Sequence, residues 1–203
     1  MSRRRGRRKL RKIRRALSRA AEKLGALRFR VSHEALLHGT VLALILALAA
    51  SLRLLPLRWG AYISEFDPYW HYHVANYIVE NGYPAFFTWH DDKVWYPWGR
   101  DVARSTFPGV SFTTAALYMA LRALGVPITL YQVCVFFPVL MGTLAVLAIY
   151  FLGREIGGSK VGLLAAFLLA LNPSHIQRTS LGFCDDETIG ILTIILYFVF
   201  LLR

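Results

Sequence analysis

The sequence predicts an all-α polytopic membrane protein, and three observations predict it. Apolar stretches recur along the 203 residues, the mean hydropathy is +0.42, and most charge and aromatic character falls between those stretches rather than within them. Basic charge is concentrated at one end: 14 of the 24 Lys and Arg lie in residues 1–30 against a single acid, Glu22. The high isoelectric point, 10.2, therefore describes that tail and does not imply a nucleic-acid partner. A polybasic segment beside an apolar block suits a cytoplasmic face rich in anionic lipid, so residues 1–34 are expected to be a cytoplasmic tail and membrane lipids a partner.

The elements follow in order. Residues 35–57 are long enough for a first transmembrane helix, since the hydrocarbon core takes roughly 20 helical residues. No small-residue cleavage site follows it, so it is not expected to be a signal peptide. Residues 58–130 turn aromatic and proline-rich, with Trp59, Tyr62, Trp70, Trp89, Trp95 and Trp98, a composition suited to the headgroup region. They form a large external loop with interfacial helices. Within it Gly109 to Leu124 carries Ser111, Thr113, Thr114 and Arg122, which predicts an interfacial helix rather than a crossing. Residues 131–152 are the second transmembrane helix and 153–160 a cytoplasmic loop holding Arg154 and Lys160. A third helix covers 161–176, with Asn172-Pro173 disturbing its end. Residues 177–187 are an external acidic loop, and 188–203 begin a fourth transmembrane helix. Cys134 and Cys184 give no disulfide framework, and Asn172-Pro173-Ser174 is barred by its proline from serving as a glycan acceptor.

Chemistry concentrates in two acidic segments, Ser64-Glu65-Phe66-Asp67-Pro68 and Gly182-Phe183-Cys184-Asp185-Asp186-Glu187. Carboxylates beside a membrane span give up hydration and persist where a cation or proton is handled. Each also has a local explanation. Asp67 before Pro68 suits an N-cap of a helix over Pro68 to Val79, and acids at the start of the fourth helix suit its dipole. Three consecutive acids exceed the needs of a cap, and hard oxygen ligands from two loops suit Mg2+ or Mn2+, ions that act on phosphate leaving groups. Sharing one ion requires both loops on one side of the membrane, which holds only if Gly109 to Leu124 does not cross.

Asp185-x-Glu187 resembles the acidic signature of membrane glycosyltransferases that use lipid-phosphate sugars. Glu65-Phe66-Asp67-Pro68, the run Trp89-His90-Asp91-Asp92-Lys93-Val94-Trp95-Tyr96-Pro97-Trp98-Gly99-Arg100, then Phe107-Pro108-Gly109, and finally Arg178 to Glu187 together resemble the catalytic subunit of N-oligosaccharyltransferase, in an archaeal form, from about Leu36 onward. The resemblance implies a GT-C-type membrane domain with its N-terminus cytoplasmic and its active site outside the cell membrane. It implies transfer of a glycan from a dolichol-type lipid-linked oligosaccharide to Asn in an Asn-x-Ser/Thr acceptor polypeptide. Asp67, Asp185 and Glu187 would hold Mn2+ or Mg2+ and act in catalysis, with Asp67 also polarising the acceptor amide. Asp186 is assigned no ligand role. His90 would touch the lipid phosphate or serve the loop structurally; Arg178 would pair with donor phosphate or neutralise the acids. Asp91 and Asp92 would fix the loop, Arg104 would face solvent or headgroups, and His73 stands where many relatives carry Arg.

Relatives continue through further spans into a soluble domain bearing W-W-D-Y-G, which reads the sequon hydroxyl, so these 203 residues are not expected to catalyse alone. Alternatives are an O-mannosyltransferase-like enzyme, a cation-coupled transporter subunit with acids inside its spans, and an anchor working through its basic tail.

Overall fold

The computed structural model describes residues 32–203, so the polybasic tail expected over residues 1–34 lies almost wholly outside the described residues. The chain divides into Met1–Leu37 and His38–Arg203, and the fold and site belong to the second unit.

Helix α1, His33–Leu54, begins where Ser32 Oγ accepts the Ala35 N–H at 3.1 Å. It ends short of the expected Leu57. Pro56 cannot donate to the preceding turn, and the chain tightens into a 3-10 helix, Leu55–Trp59. Helix α2, Phe66–Asn81, starts two residues earlier than its proline suggests and stops at Gly82, whose φ of 84° few other residues adopt readily. Asp67 is thus in the first turn rather than at the N-cap; that place falls to Glu65, which makes no side-chain cap bond. A short helix α3, Tyr83–Phe86, leads into a two-stranded antiparallel ladder, β1 His90–Asp91 and β2 Arg100–Asp101, in which His90 pairs with Asp101 and Asp91 with Arg100. After a single turn, α4 Val102–Ser105, helix α5 Gly109–Ala123 packs against α2.

Helix α6, Leu130–Leu171, opens on a reciprocal cap: Gln132 N–H donates to Thr129 Oγ1 at 3.2 Å and Thr129 N–H to Gln132 Oε1 at 3.0 Å. The loop expected over 153–160 is reduced to Gly157 and Gly158, the only positions of α6 with non-helical dihedrals. Glycine permits the reversal without strain, so Arg154 and Glu155 remain helical. The two arms of this hairpin touch closely. A Cβ placed on Gly153 would stand 2.9 Å from the Gly162 Cα, and one on Gly162 would stand 2.5 Å from the Tyr150 carbonyl oxygen. Small residues continue the contact at Ala166 and Ala170, with Ile45 and Ala49 of α1 in the same buried cluster, the composition by which helices approach closely in lipid.

The second arm ends at Leu171 rather than running to Ile176. Asn172 Oδ1 accepts the His175 N–H at 3.0 Å and caps a separate helix, α7 Pro173–Arg178. That arm falls short of the roughly 20 residues of a full crossing. The stretches His33–Trp59 and Leu130–Leu171 are long and apolar enough to cross a membrane. Helix α8, Asp186–Leu201, packs along α6, burying Leu192, Ile195 and Val199 against Ala145 and Ala148. Cys134 and Cys184 are buried, free thiols in the cluster that also holds Val74, Ile78, Phe86 and Val110.

One buried polar node ties these helices to the second acidic segment. Arg53, fully buried at the end of α1, donates through Nε to Thr179 Oγ1 at 2.8 Å, through Nη2 to His175 Nδ1 at 2.7 Å, and through Nη1 to the Ala49 carbonyl at 2.9 Å. Gly142 makes room for it, since a Cβ there would lie 2.7 Å from Arg53 Nε. The backbone beyond is pinned in sequence: Leu181 N–H donates to the Arg53 carbonyl at 3.0 Å, Gly182 N–H to Val135 at 2.9 Å, and Ser64 N–H to Gly182 at 3.1 Å. Any side chain at Gly182, whose φ is 85°, would collide with the Tyr62 carbonyl. The segment before Asp185 therefore rests on α1, α6 and the chain leading to Asp67 at once.

Candidate functional site

The two acidic segments meet at one end of the helices, as a same-side arrangement requires. Helix α2 carries His71 one turn beyond Asp67, and His71 Nε2 lies 3.4 Å from Asp185 Oδ1 and 3.6 Å from Asp186 Oδ1. These three groups offer ligand atoms all within 4.8 Å of one another. His71 is only 3% exposed. Its Nδ1 meets Ser111 Oγ of α5 at 3.3 Å, and the Ser111 hydroxyl donates to the His71 carbonyl at 3.2 Å.

Asp185 is the N-cap of α8: its Oδ1 accepts the Asp186 N–H at 2.8 Å, and its own N–H reaches Thr188 Oγ1 at 3.4 Å. The local explanation for this acid is thus correct, and one carboxylate serves both the cap and the cluster. Asp186, expected to take no part, faces His71. Partial burial raises the Asp186 pKa; His71 opposes the rise, while Asp185, Glu187 and Asp67 reinforce it. Asp67 itself is exposed and outside the trio, but near enough for its charge to act on Asp186 and on Arg100.

Glu187 turns toward Arg178, with Oε1 3.3 Å from the guanidinium. Its Oε2 is buried with no hydrogen-bond partner among the described residues. The donor set therefore fits a divalent ion: an imidazole from the first segment, two carboxylates from the second, and a neighbouring carboxylate oxygen whose burial is otherwise uncompensated. Arg178 is so placed that it already neutralises an acid.

His90 is engaged by its own loop. Nδ1 lies 2.8 Å from Asp101 Oδ1 and Nε2 3.1 Å from the Trp98 carbonyl, so both nitrogens face acceptors. The bond to Asp101 is the main cause that raises the His90 pKa above 6.5, and the same bond lowers that of Asp101 below 3.8. The signs set a window. The His90 contribution is complete below pH 6.5 and is lost as pH rises through the raised value; the Asp101 contribution is complete above 3.8 and is lost as pH falls through the lowered one. Amide protection across residues 90–101, measured by hydrogen exchange and corrected for intrinsic rates, should decline as pH rises from 6.5 to 9 and lose that dependence in His90→Gln.

The rest of the aromatic loop is rigid for visible reasons. Asp91, 4% exposed, accepts from His73 Nε2 at 2.7 Å and from the Lys93 N–H at 3.0 Å, so His73 makes a polar contact to the loop. Arg100 lies over Trp70 at 4.1 Å and Trp95 at 4.6 Å and donates to Ser105. Arg104 is exposed beside Asp101.

The family model for oligosaccharyl transferase STT3, N-terminal, matches residues 38–203. The chain belongs to the STT3 family. Among curated STT3 relatives, the dolichyl-diphosphooligosaccharide–protein glycosyltransferase subunit STT3B of Oryza sativa subsp. japonica is 39% identical over 84% of the chain and 24% of the relative. STT3A of the same plant is 35% identical over 86% and 22%, and subunit STT3 of Saccharomyces cerevisiae is 36% identical over 72% and 21%. The chain thus spans less than a quarter of the length of these STT3 relatives. The Archaeoglobus fulgidus oligosaccharyltransferase in its apo form superposes with a TM-score of 0.63 at 23% identity, over 80% of the chain and 19% of that protein. The same enzyme in complex with Zn and sulfate superposes equally, at 24% identity, over 78% and 21%. The STT3 fold at this end is therefore shared.

His71 is the residue of this STT3 chain that sequence reasoning missed. A signal was present: four residues after Asp67 puts both side chains on one face of a helix.

Proposed function

We propose that this STT3-family chain takes part in protein N-glycosylation, moving an oligosaccharide from a dolichol-phosphate-type lipid carrier to Asn of Asn-x-Ser/Thr sequons. The observation that carries the proposal is the meeting of the two acidic segments, with His71 of the first within 3.6 Å of both Asp185 and Asp186 of the second. Family membership over residues 38–203 supports it.

Asp67, Asp185 and Glu187 would hold Mn2+ or Mg2+, and the relative solved with Zn and sulfate supports a metal in this fold. Such an ion, when bound, offsets negative charge on a departing phosphate. The chain's own groups do the remainder. Asp67, exposed at the start of α2, accepts N–H bonds from the acceptor amide and so weakens the resonance that makes its nitrogen a poor nucleophile. Arg178, paired only loosely with Glu187 at 3.3 Å and half-exposed, exchanges that partner for a donor phosphate. His90 borders the same side through the aromatic loop and is a weaker candidate for a phosphate contact, both ring nitrogens being taken. The basic tail sits in the cytoplasm, four helices reach into or across the cell membrane, and the acidic segments lie outside. A transporter would place its acids within spans, whereas Asp67 and Asp185 stand at helix starts.

Membranes in which residues 38–203 replace the matching segment of a full-length STT3 relative are expected to glycosylate an Asn-x-Thr peptide from lipid-linked oligosaccharide and to leave the Gln-x-Thr peptide unmodified. Transfer to a peptide offering only Ser or Thr would instead mark an O-glycosyltransferase and end the proposal.

A further inference from the structure

We propose that His71 is a nitrogen ligand of the metal site and biases it toward transition-series ions such as Mn2+ and Zn2+ over Mg2+. This rests on the metal-dependent reading above and adds a residue and a selectivity to it.

The hydrogen bonds around His71 fix where its lone pair points. Ser111 spends its single hydroxyl proton on the His71 carbonyl, at 3.2 Å, so toward His71 Nδ1, 3.3 Å away, it offers only a lone pair. Nδ1 then carries a proton, which leaves Nε2 as the ring nitrogen that can present a lone pair to an ion. That nitrogen faces Asp185 Oδ1 at 3.4 Å and Asp186 Oδ1 at 3.6 Å. One ring nitrogen and two carboxylate oxygens therefore lie within 4.8 Å of one another beside a residue only 3% exposed, an arrangement that a cation satisfies and that water satisfies poorly.

Spacing and chemistry agree. Ligands about 2.1 Å from an ion stand roughly 3.0 Å apart at octahedral angles and 3.4 Å apart at tetrahedral ones, and the two separations from His71 Nε2 need little adjustment to match. Mg2+ takes oxygen donors and dehydrates reluctantly, whereas nitrogen-containing sites favour transition-series ions, Zn2+ well above Mn2+, which also takes carboxylate oxygens. The Nδ1–H bond to Ser111 is the outer contact that orients a ligating histidine and raises its basicity. Asp186 enters through the same geometry, as the second oxygen facing Nε2.

The test uses the full chain in detergent with Mn2+ as probe. Electron spin echo envelope modulation of bound Mn2+ should contain a 14N coupling that disappears in His71→Asn. That variant should bind Mn2+ at least about tenfold more weakly, while the concentration of Mg2+ needed to displace a weak Ca2+ or Mg2+ reporter changes less than about threefold. Retained protection of Cys134 and Cys184 from thiol reagents shows that the variant is folded; if it is not, His71→Gln replaces it. Mn2+ bound without a 14N coupling, or with a coupling and affinity unchanged in His71→Asn, overturns the role of His71 and leaves the carboxylate site standing. No Mn2+ binding to the parent chain overturns this inference and removes the metal from the proposed function together.

Discussion

Arg53→Leu is expected to be the most destabilising single change in the described chain, at about 3–5 kcal/mol. The guanidinium satisfies Thr179, His175 and the Ala49 carbonyl from a fully buried position with no carboxylate partner among the described residues. Leucine leaves His175 Nδ1 without a donor beside an Nε2 that already lacks a partner among the described residues, and at this buried position no bulk water replaces it. A cavity adds to the loss, because Gly142 is shaped to admit the longer side chain. For a chain of this size the loss corresponds to roughly 10 °C in Tm. The buried thiols of Cys134 and Cys184 supply the readout, through reaction with a thiol-selective fluorophore on heating. Arg53→Lys should fall between, since one ammonium cannot span Thr179 and His175 together. A melting temperature within about 2 °C of the parent for Arg53→Leu would show that the node carries no structural weight.

The second large effect is on activity, and it separates the two duties of Asp185. Asparagine is as good an N-cap as aspartate, so Asp185→Asn should keep helix α8 and its stability within about 0.5 kcal/mol, whereas Asp185→Ala should cost about 1 kcal/mol through the lost bond to Asp186. Both should lower glycan transfer by about 100-fold or more, because both remove the charge that faces His71 and the site. The comparison is made in membranes expressing each variant, with thermal stability read in parallel. Half-normal transfer by Asp185→Asn would mean that this acid only caps the helix.

Much of the architecture was legible because it depends on local chemistry. Asn172 with Pro173 breaks the second arm of α6, and the Gly157-Gly158 pair reverses the chain before it; each acts on its own backbone and needs no partner elsewhere. The errors were of a kind that local signals cannot correct. Pro68 by itself points to a helix starting there, yet a proline is tolerated anywhere in the first turn, where its missing N–H has no partner to lose, and the helix begins at Phe66. Arg154, read as loop, stays helical because two glycines suffice for the turn.

At the site the division is sharper. The residue types and spacing of Asp67, Asp185 and Glu187 singled out the two segments, and the polar residues within Gly109 to Leu124 argued that the two could meet. Which atoms face one another could not be read there. Asp186 rather than Glu187 joins Asp185 opposite His71, because the cap at Asp185 sets the rotation of α8 and sends Glu187 toward Arg178. His71 acquires its direction from Ser111, forty residues away on α5. Composition and local backbone chemistry alone determined where helices form, where they break and which segments carry charge. The pairing of lone pairs, and with it the identity of the donors, was decided by packing, since an acceptor's direction depends on neighbours that only the folded chain supplies.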